Sequence, residues 1–120
     1  MHPFPPAGEL QRFAADVIEQ VALNPYNVQF LFESGCQVMA AQRVVHVEPD
    51  GRVWSYDCQA EERAPVILHR LLYRPIVAVE REELSLTFRF DDGSTLAVSS
   101  ELGPYECGNI TTPEGAFIVF

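Results

Sequence analysis

The sequence predicts a mainly β domain, α+β only by virtue of minor helix: an antiparallel sandwich or roll made from two similar units of a short helix plus about five strands. Three observations predict it. Leu84, Leu86, Phe88 and Phe90 alternate with Ser85, Thr87 and Arg89, the period of a half-buried strand. Four turns share one grammar, Glu33-Ser34-Gly35, Pro49-Asp50-Gly51, Asp91-Asp92-Gly93 and Pro113-Glu114-Gly115, each with glycine last. The chain also overlays itself. At a shift of 58 positions Phe30-Leu31-Phe32-Glu33-Ser34-Gly35 falls on Phe88-Arg89-Phe90-Asp91-Asp92-Gly93, and beyond six extra residues near Glu101–Glu106 the shift becomes 64.

Taken in order, the first unit (8–58) opens on a short helix expected at about Gly8–Ala14. Asp16–Leu23 could be helical by propensity, but its counterpart Ile76–Glu80 is β-branched and follows a proline, so both are read as strands. Reading each turn as a three-residue loop fixes the register: Phe30 opposite Val38, Val28 opposite Ala40, and Phe32 opposite Cys36, all apolar on one face. A two-residue turn would scatter apolar side chains over both faces. Pro49-Asp50-Gly51 sets His46 opposite Trp54 and Val47 opposite Val53. A polar link (57–63) leads to the second unit (65–120). There Pro65–Tyr73 is expected as a helix, with Pro65 in its first turn, Arg74-Pro75 as its stop, and His69 beside its apolar stripe. The 91–93 turn sets Phe88 opposite Leu96 and Leu86 opposite Val98. The 113–115 turn joins Asn109–Thr112 to Ala116–Phe120. Phe30, Phe32, Phe88 and Phe90 are expected to meet in one core.

Composition narrows the function classes. The 120 residues suit a single domain, and 48% hydrophobic content is globular. No apolar run approaches the roughly 18 residues of a membrane span, and the Met1-His2-Pro3-Phe4-Pro5-Pro6 start lacks the features of a signal peptide, so a cytoplasmic protein is expected. The net charge is −9 and every cation is an arginine. Such a chain is repelled by phosphate backbones, so no nucleic acid partner is expected; a basic protein would be attracted. Cys36, Cys58 and Cys107 have no CxxC spacing and are read as reduced thiols, with no metal or other cofactor expected.

Candidate functional residues follow from charge and from irregularity. Glu80, Glu82, Glu83, Asp91 and Asp92 are the candidate rim for a basic partner. Tyr105, Glu106 and Cys107 lie in the insertion that breaks the repeat, so they form a candidate functional loop, with Glu106 half-buried and Arg89 as its partner. No GxSxG, GxGxxG or GxxxxGK[ST] motif occurs, and no catalytic residue is assigned.

The stretches Asn27–Gly35, Leu72-Tyr73-Arg74-Pro75-Ile76 before the Phe-x-Asp-Asp-Gly turn, and Pro104-Tyr105-Glu106-Cys107 with Ile118-Val119-Phe120 resemble a set of small uncharacterised bacterial proteins. In these, Tyr-Glu-Ser often stands where Tyr105-Glu106-Cys107 stands here. By loose analogy they resemble immunity proteins of toxin systems. The resembled set carries no established activity; the acidic β surface, with this analogy, leads to the expectation of a non-enzymatic binding module, an immunity-type inhibitor. The alternatives are a self-assembling homodimeric β domain, and an enzyme whose site lies near Glu106.

Overall fold

The structure, a computed structural model, describes residues 3–103 and 105–120; Met1, His2 and Pro104 lie outside the described residues. Its strands are β1 (Ile18–Asn24), β2 (Asn27–Phe32), β3 (Gln37–Ala40), β4 (Arg43–Val47), β5 (Val53–Asp57), β6 (Ile76–Glu82), β7 (Ser85–Phe90), β8 (Thr95–Ser99), β9 (Gly108–Thr111) and β10 (Phe117–Val119). They form two antiparallel five-stranded sheets, in the orders β1-β2-β3-β9-β10 and β5-β4-β8-β7-β6. Each sheet therefore takes three strands from one half of the chain and a hairpin from the other. The halves are not separate layers, an exchange that the sequence reading did not include. No described helix is long and apolar enough to cross a membrane.

The expected registers are present: Phe30 faces Val38 and Val28 faces Ala40, while Phe88 faces Leu96 and Leu86 faces Val98. Each of the four turns is closed by the same pair of bonds. In the first, Phe32 N–H donates to the Cys36 carbonyl and Gly35 N–H to the Phe32 carbonyl, both at 2.9 Å. This geometry needs a left-handed residue, and Gly35, Gly51, Gly93 and Gly115 have φ of 93°, 91°, 87° and 92°. The β1–β2 and β6–β7 pairs also carry matching irregularities, between Ile18 and Gln20 and between Ile76 and Ala78.

Phe30, Phe32, Phe88 and Phe90 are buried. Phe13 joins them, its ring 4.9 Å from Phe32 and 5.3 Å from Phe88, and Phe32 lies 5.7 Å from Phe88 across the two sheets. Full burial of each such ring contributes roughly 1.5–3 kcal/mol. Gly108 is required by close approach: a Cβ there would strike the Met39 carbonyl oxygen and the Phe120 ring.

The helices are shorter than expected. Gly8–Ala14 resolves into α1 (Ala7–Leu10) and a 3-10 turn at Gln11–Phe13; Pro65–Tyr73 reduces to a 3-10 turn at Leu68–Leu71, with Pro65 outside it. Neither has a side-chain cap. Leu10 and Phe13 in one, and Leu68 and Leu71 in the other, need only one turn to reach the core, while Ala64 and Val66 pack there from non-helical chain. His69 is exposed and lines a small cleft with Val21, Leu23, Val66 and Leu68. Both segments end in left-handed residues, Ala15 (φ 66°) and Tyr73 (φ 61°). These make reciprocal bonds between the halves: Ala15 N–H to the Ile76 carbonyl at 2.8 Å, and Tyr73 N–H to the Ile18 carbonyl at 2.9 Å.

The pairings give the molecule two unlike ends. The four glycine turns lie towards one, where Ile76 N–H also donates to the Asp16 carbonyl. The β1–β2, β3–β4, β6–β7 and β8–β9 connections and the link lie towards the other. The link is pinned, since Gln59 Nε2 donates to the Tyr26 and Ala41 carbonyls and Cys58 is buried.

Candidate functional site

The predicted rim residues do not form one surface. Glu80 lies along β6 and is paired with Arg89, Nε to Oε1 at 2.5 Å; that contact holds its carboxyl below the usual range. Asp91 and Asp92 sit in a glycine turn, 3.9 Å and 3.4 Å from Arg74. Glu82 and Glu83 are at the far end of β6, beside the link end. At about 3.3 Å per residue, β7 alone separates the two groups by about 20 Å. The extended length of β7 sets this division, because the two turns it joins lie at its opposite ends.

The candidate loop is divided as well. Tyr105 is 79% exposed and Cys107 is buried. Glu106 is exposed rather than half-buried, and Arg89 is occupied by Glu80. Cys107 turns inward, Sγ accepting from Glu101 N–H at 3.1 Å, which leaves Glu106 pointing out. The small cleft beside Tyr105 is lined by Gln42, Glu101, Leu102, Gly103, Tyr105 and Cys107, and holds neither Glu106 nor a histidine.

The link end nonetheless collects charge. Ser100 N–H donates to the Leu84 carbonyl, Phe4 N–H donates to the Glu83 carbonyl, and Cys107 N–H donates to the Phe120 carbonyl, whose ring stacks on Phe4. Asp57, Glu61, Glu62, Glu82, Glu83, Glu101 and Glu106 therefore share this end, and none is in an ion pair among the described residues. Its arginines are tied elsewhere. Arg43 donates to Ser55, Arg63 to the Pro25 carbonyl while lying over the Tyr26 ring, and Arg81 to the Phe4 and Pro5 carbonyls. Tyr26, Leu102 and Tyr105 are exposed among these acids.

At the opposite end the structure shows a site that sequence reasoning missed. A cleft of about 330 Å³ opens between the β4–β5 turn, the Leu68–Leu71 turn and the β7–β8 turn. His46 lines it at 2% exposure, and its Nδ1 has no hydrogen-bond partner among the described residues. Burial pushes its pKa down, against Glu48 and Asp92, so the ring is held neutral. Glu48, 7% exposed, accepts from Trp54 Nε1 at 2.8 Å and from Arg70 Nη1 at 2.5 Å, and these bonds hold its carboxyl below the usual range. Burial alone would raise Asp92, but the Ser94 hydroxyl and N–H, together with Arg74, hold it down.

No protein-family model, curated protein or solved structure matches this chain.

The molecule supplies its own comparison instead. At the shifts read from the sequence, His46 corresponds to Ile110, Glu48 to Thr112, Leu71 to Phe13 and Arg70 to Arg12. Ile110, Thr112, Phe13 and Arg12 line a second cleft, of about 410 Å³, in the other half. There the arginine turns to Glu114, 2.6 Å away, over an apolar floor. The fold thus closes this position with isoleucine in one half and carries histidine in the other. The signal available in sequence was His46 and Glu48, two apart on one strand face, aligned with Ile110 and Thr112. Among the described residues, no group of three His, Cys, Asp or Glu is gathered for a metal. The three cysteines are buried and form no disulfide among the described residues, and burial raises the Cys58 thiol.

Proposed function

We propose that the chain is a non-enzymatic binding module that docks a basic protein through its link end, in the manner of an immunity-type inhibitor. One observation carries this reading: seven carboxylates without ion pairs among the described residues share that end with exposed Tyr26, Leu102 and Tyr105, while its arginines are bound to oxygens of the fold. Unpaired acids of one sign steer a cationic partner, and exposed aromatic side chains supply contact area once it arrives. The rim is Glu82, Glu83, Glu101 and Glu106 rather than Glu80, Asp91 and Asp92. Buried cysteines outside any disulfide among the described residues suit a reducing compartment such as the cytoplasm. The matched registers and turns support an origin by internal duplication.

The test is amide chemical-shift mapping with an oligolysine peptide as probe. Shifts are expected to concentrate in 57–63, 82–84 and 101–107. Joint replacement of Glu82, Glu83, Glu101 and Glu106 by Gln should weaken binding about tenfold at low salt, with a smaller loss at high salt. Shifts spread evenly over the molecule, or affinity unchanged in the variant, would contradict the reading.

A second reading, a homodimer through sheet edges, is favoured by Val53 and Phe117. They occupy corresponding positions on the edge strands β5 and β10, and are 59% and 62% exposed.

A further inference from the structure

We propose that the cleft over His46 binds a small oxyanion, a phosphate or carboxylate group, on the guanidinium groups of Arg70 and Arg74. This site lies at the glycine-turn end, away from the acidic end, and does not depend on the docking reading.

The argument starts from unfilled donors. A guanidinium offers five N–H groups in a planar fork that matches an oxyanion. Arg70 spends one nitrogen on Glu48, and the ion pairs of Arg74, 3.9 Å and 3.4 Å, are too long to fill its fork. Both side chains are about half exposed at the mouth of the cleft. Glu48 and Asp92 then act as anchors. Glu48 is fixed by Trp54 and Asp92 by Ser94, and each holds one arginine beside the opening. Arg52 also reaches Glu48 at 3.8 Å, so three arginines, Arg52, Arg70 and Arg74, stand at this mouth against Glu48, Asp91, Asp92 and the nearby Asp50.

The floor supplies the second, independent observation. His46 is buried with Nδ1 unpartnered, which is costly for a polar group. The corresponding floor residue of the other half, Ile110, shows that the architecture does not need a histidine there. A ligand oxygen between the two arginines would lie against the His46 ring, the one polar side chain of the cleft floor with an unpartnered nitrogen among the described residues. The other cleft has neither the second arginine nor the histidine: Asp16 stands where Arg74 would be, and is engaged with Ser34.

Trp54 is the only tryptophan and touches Glu48, so its emission reports on the cleft. The intact chain is titrated separately with inorganic phosphate and with citrate, at constant ionic strength in chloride. A saturable change with phosphate alone assigns a phosphoryl ligand. A change with citrate alone assigns a carboxylate, and a change with both assigns the shared oxyanion chemistry. Arg70→Gln and Arg74→Gln should each weaken the response at least about tenfold, the scale of one charge-assisted bond; Arg12→Gln, in the other cleft, should leave it unchanged. Amide shifts in the unaltered chain should map to residues 46–51, 70–74 and 92–94, which requires no variant to fold. No saturable change with either anion, a response that survives the Arg70→Gln/Arg74→Gln pair, or shifts elsewhere would overturn the proposal.

Discussion

His46 gives the fold a liability that Ile110 does not. Replacing His46 with Ile, the residue of the corresponding position, removes an unpartnered buried nitrogen at similar volume. Stability at neutral pH is expected to hold or rise by up to about 1 kcal/mol, read by chemical denaturation. The same variant should change the pH profile. The unfolded imidazole takes its proton near 6.5, while the folded ring, pushed down by burial, takes it at lower pH. Stability is therefore complete above 6.5 and is lost as pH falls through that value and then through the folded one. Glu48 on its own strand and Asp92 on the β7–β8 turn oppose the shift, and Arg70 reinforces it. His46→Ile should lack this acid limb; a profile identical to that of the parent would contradict the assignment. At this scale the sequence was legible where side chains face the core, as at Phe30 and Cys36. It misjudged which charges pair, giving Arg89 to Glu106, because Arg89 and Glu80 meet across β6 and β7, and Arg74 reaches Asp92 from a different element.

Among the elements, the turns were readable and the helices were not. A three-residue loop with a final glycine is a local geometric demand, satisfied by residues adjacent in sequence. The helical segments answer to distant neighbours: they stop where Ala15 and Tyr73 must each donate to the opposite half, so both enter left-handed conformations that non-glycine residues avoid. Because Ala15 and Tyr73 correspond across the halves, this strain belongs to the architecture rather than to either cleft. Tyr73 is also exposed and contributes little packing. Tyr73→Gly should stabilise the protein by about 0.5–1 kcal/mol through relief of that strain, visible as a raised denaturation midpoint. A lowered midpoint would show that its ring makes a contact that outweighs the strain.

Over the whole molecule, strand order was the part that sequence could not give, since periodicity fixes which face is buried but not which neighbour pairs. The β4–β5 hairpin completes the sheet of β6–β8, and the β9–β10 hairpin completes that of β1–β3. Neither half can melt without removing two strands from the other sheet. Unfolding is therefore expected as one transition, coincident in Trp54 emission and far-ultraviolet circular dichroism, whereas two separated transitions would argue for independent halves. The reciprocal lending of hairpins also makes this chain formally a swapped pair closed upon itself. The pinned segment 57–63 sets the effective concentration at which each half meets its own complement, on the order of millimolar for a short tether. Below that concentration the chain satisfies itself; severing the tether would hand the same interface over to mass action between separate polypeptides.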